Sequence, residues 1–209
     1  MDLFPTLVES YDLTSFDKEI RSFSEVVMDA IKREDNCQHR FLENGVSSHS
    51  GYDPLNDSKS KPLLEIFQSC VEDYSAKVMS WPMIIGRGWY NVLSPGGHTK
   101  RHRHEYSVIS GAFYVRLPEN SGNICFVSPL QQYRMCEMYL KPNRYQQYES
   151  EMQVQQNWLY LFPSWMEHYT QPNQSNEDRI TVSFNTLIDN NPESERVQNY
   201  MKKVGCEIL

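Results

Sequence analysis

Residues 96–105 read GGHTKRHRHE, and two histidines of this stretch, His102 and His104, stand two positions apart. Alternate side chains of an extended segment point to the same face, so this spacing places both imidazoles on one side. Neutral imidazole is the commonest side-chain ligand of transition metals and suits iron, zinc, copper and nickel. A third histidine, His168, follows the strand-like run WLYLFP at 158–163. Together the three histidines predict an open metal site with three protein ligands.

Two features of this stretch leave alternatives open. Glu105 is adjacent to His104 and is a possible ligand, but on an extended segment it points to the opposite face, so we favour His104. Histidine pairs at this spacing also occur by chance, and His104 or His168 could instead be a packing or solvent-facing residue. The order of the chain favours the metal site, because a strand pattern follows the pair directly at residues 108–115.

Composition limits the class of protein. The chain has 209 residues, of which 39% are apolar and 22% charged, which suits one folded domain with a sizeable core. The net charge of −7 argues against a protein built to hold a nucleic-acid backbone. A local basic strip runs from Lys100 to Arg103, and we expect it to hold an anionic ligand or to mark the mouth of a pocket.

The five cysteines show no CxxC spacing, and no secretory leader or apolar run of membrane-spanning length is visible. We therefore expect a reduced, cytoplasmic protein with free thiols and no membrane partner. The sequence leaves open whether the chain forms a homo-oligomer.

The N-terminal third has helical periodicity. Apolar residues predict one helix over 15–33 and a second over 61–80, separated by a polar, turn-rich loop at 34–57 with room for a short strand and for part of a pocket rim. After Pro82 short strand-like runs dominate, at 83–93, 107–117, 122–128, 134–140, 151–154, 157–162 and 179–188. Turn signals separate them, the first at 94–97, and this texture is typical of a sandwich or barrel.

We therefore predict a single domain over 1–209, mainly β with flanking helices. It divides into a helical N-terminal support at 1–81, a β core at 82–190 and a C-terminal helical segment at 191–209. Asn191 is placed to cap that last helix and Pro192 fits its first position.

Four motifs in this order carry a resemblance: HxH at 102–104, SGxxYV at 110–115, FPSWxxH at 162–168 and RxTxSFN at 179–185. Together they resemble the Fe(II)/2-oxoglutarate-dependent oxygenases, and most closely a small subfamily of marine bacteria and their phages. The resemblance covers residues 80–190 well and implies a double-stranded β-helix, or jelly-roll, with the metal at one open end.

The resemblance also implies cofactors and roles. Fe(II), 2-oxoglutarate and O2 would act together, with 2-oxoglutarate oxidatively decarboxylated to succinate and a substrate hydroxylated. His102 and His168 match the family's histidine ligands, whereas His104 stands where the family has a carboxylate. Arg179 would pair with the distal carboxylate of 2-oxoglutarate, helped by Thr181, and Tyr114 and Asn91 would line the same pocket. No catalytic residue beyond the metal ligands is implied.

Two other classes remain open at this point. A cupin-type metalloenzyme without 2-oxoglutarate fits Gly96 and the two histidines, but lacks the expected glutamate at positions 108 and 109 and gives Arg179 no role. A non-enzymatic jelly-roll binding module explains neither the histidine spacing nor the arginine. The substrate is unspecified: a protein side chain, a nucleotide base and a small metabolite all remain.

Overall fold

The computed structural model describes residues 5–78, 81–130 and 147–204, with side chains up to residue 202. The described residues contain three α-helices: α1 (Asp17–Lys32), α2 (Lys61–Val78) and α3 (Glu195–Val204). Helix α1 buries one stripe, which includes Ile20, Phe23 and Val27, and carries acidic residues in its first turn. Both predicted N-terminal helices are therefore confirmed.

In the part of the chain that the structure describes, nine strands form two antiparallel sheets that face each other. The strands are β1 (Glu9–Asp12), β2 (Leu42–Ser47), β3 (Met83–Thr99), β4 (Ile109–Arg116), β5 (Ile124–Val127), β6 (Glu149–Met152), β7 (Trp158–Pro163), β8 (His168–Thr170) and β9 (Arg179–Ile188). The major sheet has the order β1-β7-β4-β9-β3-β2 and the minor sheet the order β6-β5-β8. This is the predicted fold class, mainly β with flanking helices, arranged as a double-stranded β-helix.

The major sheet also takes in strands from the N-terminal region. Strand β1 pairs with β7, and β2 pairs with β3, so the sheet begins well before the predicted start of the β core at residue 82. Strand β2 lies within the predicted loop at 34–57, for which the sequence left room for a short strand. Short pairing partners of this kind are recruited by the edges of a sheet and leave little local signal.

The predicted turn at 94–97 was wrong, because β3 continues to Thr99. Its extension pairs with β2 across a register shift, and Gly96 adopts a φ of 82°, which a residue with a side chain rarely tolerates. Asn173 fixes the same segment, donating its backbone N–H to Gly97 and accepting from Gly96. The glycines thus serve an irregular strand and not a turn.

Two further predictions need adjustment. Helix α3 begins at Glu195, so Pro192 is not its first residue, and the side chain of Asn191 instead accepts from the backbone N–H of Glu193 in the preceding turn. Strand β8 was not predicted, and the predicted strand at 134–140 lies outside the described residues.

Two apolar clusters hold these layers. The larger lies between the outer face of the major sheet and the helices α1 and α2, where the rings of Phe23, Phe67 and Phe113 contact one another. The smaller lies between the sheets and includes Tyr114, Phe126, Tyr160 and Phe162. The helices therefore brace one sheet from outside and leave the space between the sheets available for a cavity.

Candidate active site

The three predicted histidines meet between the sheets. His102 and His168 exchange backbone hydrogen bonds of 3.0 and 2.9 Å, and the N–H of His104 donates to the carbonyl of Ser164 at 3.0 Å. Residues 102–104 therefore run antiparallel to 164–168, and an isolated β-bridge joins His102 to His168. The extended spacing places both rings of the pair on the same side as predicted, and one ligand atom from each histidine lies within 4.8 Å of the others.

Backbone carbonyls orient two of the rings. The Nδ1 of His102 lies 2.8 Å from the carbonyl oxygen of Lys100, and the Nδ1 of His168 lies 2.9 Å from that of Met166. Each ring therefore donates its Nδ1–H to a carbonyl two residues earlier and keeps Nε2 as an acceptor. His104 has a different partner, since its ring is hydrogen-bonded to the side chain of Asn185.

Burial keeps all three imidazoles neutral. Desolvation lowers the pKa of His102, lowers the pKa of His104 to about 4, and holds the pKa of His168 well below its ordinary value. The neighbouring rings of the cluster lower the pKa of His168 further. Neutral imidazole is the form that binds a metal, so this cluster needs no deprotonation at neutral pH.

Glu105 does not join the cluster. Its side chain is exposed at the rim of the cavity, and the group of possible metal ligands consists of the three histidines alone among the described residues. The alternation of side chains along the extended segment accounts for this difference between neighbours.

A cavity of about 440 Å³ opens beside the histidines, and all four residues predicted to bind the cosubstrate line it: Arg179, Thr181, Tyr114 and Asn91. Sheet pairing explains their proximity. Thr181 on β9 lies opposite Asn91 on β3 and opposite Tyr114 on β4, so the three form one row across the sheet. Arg179 and Ser183 lie on the same face of β9 and also line the cavity.

Arg179 is a buried cation, with 1% of its surface exposed. Its guanidinium donates to the carbonyls of Ser121 and Gly122 at 3.2 and 3.1 Å and to the hydroxyl of Tyr114 at 3.3 Å. Its buried Nε has no hydrogen-bond partner. No ion pair joins Arg179 to an acidic side chain in the described part of the chain, so its charge faces the cavity without a carboxylate.

Sequence reasoning missed most of the cavity wall on the side of the metal cluster. His39, Phe41 and His49 come from the region predicted as a loop and rim, and Trp89 comes from β3. No periodic signal marks the first three, because they flank the short edge strand β2. Asn185, the last residue of the RxTxSFN motif, was given no role, although it continues the alternation of 179, 181 and 183 along β9.

Comparison with known proteins agrees with this arrangement. Residues 87–185 match a family model described as "Putative 2OG-Fe(II) oxygenase", and this segment contains the three histidines and Arg179. No curated protein matches the chain in sequence. None of the described helices has the length and apolar character needed to cross a membrane.

Solved structures share the fold at low identity. A prolyl-4-hydroxylase of Pseudomonas putida aligns over 86% of this chain and 92% of its own, with a TM-score of 0.62 and 10% identity. HygX of Streptomyces hygroscopicus, solved with nickel and 2-oxoglutarate bound, aligns over 88% of this chain and 84% of its own, with a TM-score of 0.61 and 13% identity. The viral collagen prolyl hydroxylase of Paramecium bursaria Chlorella virus-1 aligns over 86% and 94%, with a TM-score of 0.54 and 12% identity. Over residues 87–185 the chain is thus similar in sequence to the 2OG-Fe(II) oxygenase family model, and over most of its length it shares the fold of these solved structures.

Proposed function

We propose that His102, His104 and His168 bind one Fe(II) and that the adjoining cavity binds 2-oxoglutarate through Arg179, with Thr181, Tyr114 and Asn91 beside it. The chain would couple oxidative decarboxylation of 2-oxoglutarate to hydroxylation of a substrate. One observation carries this proposal: three neutral imidazoles converge at the wall of a cavity that is also lined by a buried guanidinium with no carboxylate partner among the described residues.

The donor set fits the metal. Imidazole nitrogen suits ferrous iron, and three protein ligands leave positions for a chelating keto acid and for O2. Bound iron and 2-oxoglutarate supply the oxidising chemistry, in which O2 yields succinate, CO2 and a hydroxylated product. A third histidine in place of the family's carboxylate leaves the site one unit more positive, which favours a dianionic cosubstrate.

The buried cation fits the cosubstrate. Removing a carboxylate from water is costly unless a counter-charge and hydrogen-bond donors receive it. Arg179 offers the charge and an unused Nε–H, and Thr181 and Tyr114 offer hydroxyl groups on the same wall. The planar guanidinium pairs with both oxygens of a carboxylate, which lysine does not.

The cellular location of the protein is also part of this proposal. We propose that the chain works in the reducing cytoplasm, which the free thiols of Cys37, Cys70 and Cys125 support. The closer resemblance to a marine bacterial and phage subfamily rests on the sequence motifs alone.

The test combines metal content with cosubstrate turnover. We expect purified protein to bind one Fe(II) per chain under argon and to convert 2-oxoglutarate to succinate when O2 is admitted. His168→Ala should lose stoichiometric iron, whereas His98→Ala, outside the described cavity wall, should keep it. Undiminished iron in His168→Ala would overturn the ligand assignment. Iron binding without any binding of 2-oxoglutarate would favour the cupin alternative.

A further inference from the structure

Six aromatic side chains form a closed circuit of ring contacts on the metal side of the cavity. Phe41 stacks on His102 with ring centroids 5.0 Å apart, and Trp89 stacks on His104 at 5.6 Å. The remaining contacts close the circuit through His39–Phe41 at 5.6 Å, His39–His49 at 4.7 Å, His49–Trp89 at 4.8 Å and His102–His104 at 5.1 Å. All six residues line the cavity, and we call this surface the aromatic wall.

The aromatic wall itself carries little charge. Burial lowers the pKa of His39 and of His49, and the positive charge of Arg40 lowers both further. Both rings are therefore neutral at neutral pH. Any strong charge that a ligand meets here must come from residues around the wall.

Two arginines supply that charge. The guanidinium of Arg40 lies over the ring of Phe41, 4.6 Å from its centroid, and Arg103 stands between the two histidines of the pair. Both line the cavity, and neither forms an ion pair with a described acidic residue. Their neighbours differ: Lys100 pairs with Glu43 at 2.8 Å, and Arg101 pairs with Glu149.

Two carboxylates also reach the rim. Glu167 lies 3.9 Å from the guanidinium of Arg101, but Arg101 is already paired with Glu149, and Glu105 is exposed and forms no ion pair among the described residues. Two guanidinium groups and two carboxylates thus line the rim. The cation held directly against the aromatic wall is Arg40, whose guanidinium lies over the ring of Phe41, so an anion bound at the wall has a positive partner there.

We propose that the aromatic wall and the guanidinium groups of Arg40 and Arg103 form the subsite for the oxidised substrate, and that this substrate is a planar, conjugated molecule with an anionic group. The inference rests on the proposed function, because it places the substrate beside the metal ligands His102 and His104. Flat ligands stack on aromatic rings, and guanidinium groups bind anions while tolerating stacking.

Three probes test whether the subsite selects planar ligands and whether it selects anions. They are 2-naphthoate, which is planar and anionic, 2-naphthamide, which is planar and neutral, and decalin-2-carboxylate, which is anionic but not planar. Affinities are measured by ligand-observed NMR on the full chain, loaded with Zn(II) and saturated with 2-oxoglutarate. We expect 2-naphthoate to bind at least roughly fivefold more tightly than either of the others.

The double variant Arg40→Gln, Arg103→Gln should reduce the affinity for 2-naphthoate to that for 2-naphthamide and leave the latter unchanged. Arg21→Gln, on the exposed face of α1, is the matched control and should change nothing. Phe41→Leu should weaken both planar probes and spare the non-planar one. Equal affinities for the three probes, no binding of any, or an unchanged preference in the double variant would each overturn the proposal.

A second measurement separates this proposal from the proposed function. Replacing Zn(II) by paramagnetic Mn(II) should broaden the resonances of bound 2-naphthoate, because the aromatic wall includes two of the proposed metal ligands. If the metal or 2-oxoglutarate fails to bind, the proposed function fails, while the preference among the probes is still measured on the metal-free chain. If both bind and 2-naphthoate shows no Mn(II) broadening, the subsite is misplaced.

Discussion

The ring of His104 is hydrogen-bonded to the side chain of Asn185, whereas the rings of His102 and His168 are hydrogen-bonded to backbone carbonyls. The Oδ1 of Asn185 also accepts from the hydroxyl of Ser110 at 3.2 Å, and that hydroxyl lies 2.8 Å from the hydroxyl of Ser164. A chain of polar side chains on three segments thus leads to the ring of His104.

Removing this partner should weaken metal binding. Loss of an orienting hydrogen bond behind a metal-bound histidine typically costs about 10–100-fold in affinity. We expect Asn185→Ala to show a loss of that order in a Co(II) titration followed by visible absorption, with an altered spectrum. Asn185→Asp keeps an acceptor and should recover most of the affinity, and Asn191→Ala is a control outside the site. Unchanged affinity and spectrum in Asn185→Ala would show that Asn185 has no positioning role.

The choice between the two candidate ligands at 104 and 105 is open to a paired substitution. His104→Ala should lose stoichiometric Fe(II), because it leaves only two of the three converging nitrogens. Glu105→Ala should keep it, since that carboxylate is exposed and outside the cluster. Iron content measured side by side on the two variants decides the assignment, and the reverse result would move the second ligand to Glu105.

Acid should destabilise the metal-free protein through the buried histidines. The pKa of His104 is about 4 in the folded chain, below the value of roughly 6.5 for an unfolded histidine. Above the pKa of the unfolded chain, His104 is neutral in both the folded and the unfolded state, so its titration causes no loss of stability there. As the pH falls from about 6.5 towards 4, the unfolded chain binds a proton at this histidine that the folded chain does not bind. The free energy of unfolding falls by up to about 3 kcal/mol as a result.

Urea unfolding of chelator-treated protein between pH 7.5 and 4.5 measures this effect. His104→Gln removes the titrating group, so its stability should fall less steeply over that window than that of the original chain. Carboxylates titrate equally in both proteins and cancel in the comparison. Parallel curves would mean that His104 is not held neutral by the fold.

Period-two alternation made part of the site predictable. Arg179, Thr181 and Ser183 share a face of β9 because alternation is a local property of any strand, and the same rule separated His104 from Glu105. The helices α1 and α2 could be predicted in the same way, because each buries a stripe of mainly apolar residues whose spacing is visible in its own sequence. These features depend on residues close to one another in the chain.

The remaining parts of the fold and of the site depend on pairing between distant segments and could not be predicted from the local sequence. Strand β3 passes through the glycines at 96 and 97 because β2 and Asn173 hold it there, and neither partner is marked by the local sequence. The aromatic wall joins Phe41 to His102 and Trp89 to His104 across segments far apart in the chain. Such contacts follow from sheet register, which alternation alone does not set.

Gly111 on β4 has a steric role that a single methyl group tests. It lies opposite Phe184 of β9, and a Cβ at this position would overlap the buried Phe184 ring. Gly111→Ala should therefore lower the free energy of unfolding by about 1–3 kcal/mol, as overpacked cores do. Gly51→Ala is the matched control, because its Cβ would meet no atom within 4 Å. Equal urea midpoints for the two variants would contradict this account.

Arg179 offers the sharpest test of the cosubstrate site. Its guanidinium is buried, engages Tyr114 and two carbonyls, and keeps an unused Nε. A dicarboxylate bound here would lose its counter-charge in Arg179→Ala, and removing one partner of a buried ion pair typically costs about 3–5 kcal/mol, or on the order of a hundredfold or more in affinity. Calorimetry with Mn(II) in place of iron should show that loss for 2-oxoglutarate while metal content stays intact.

Two further variants define what the arginine supplies. Arg179→Lys keeps the charge but not the planar fork, so its affinity for 2-oxoglutarate should fall between those of the original chain and Arg179→Ala. Arg116→Ala removes an exposed arginine at the end of β4 and should leave the affinity unchanged. If Arg179→Ala folds, binds Mn(II) and retains full affinity for 2-oxoglutarate, the distal carboxylate is held elsewhere. The cupin alternative, in which Arg179 has no cosubstrate to bind, then becomes the better explanation of the three histidines.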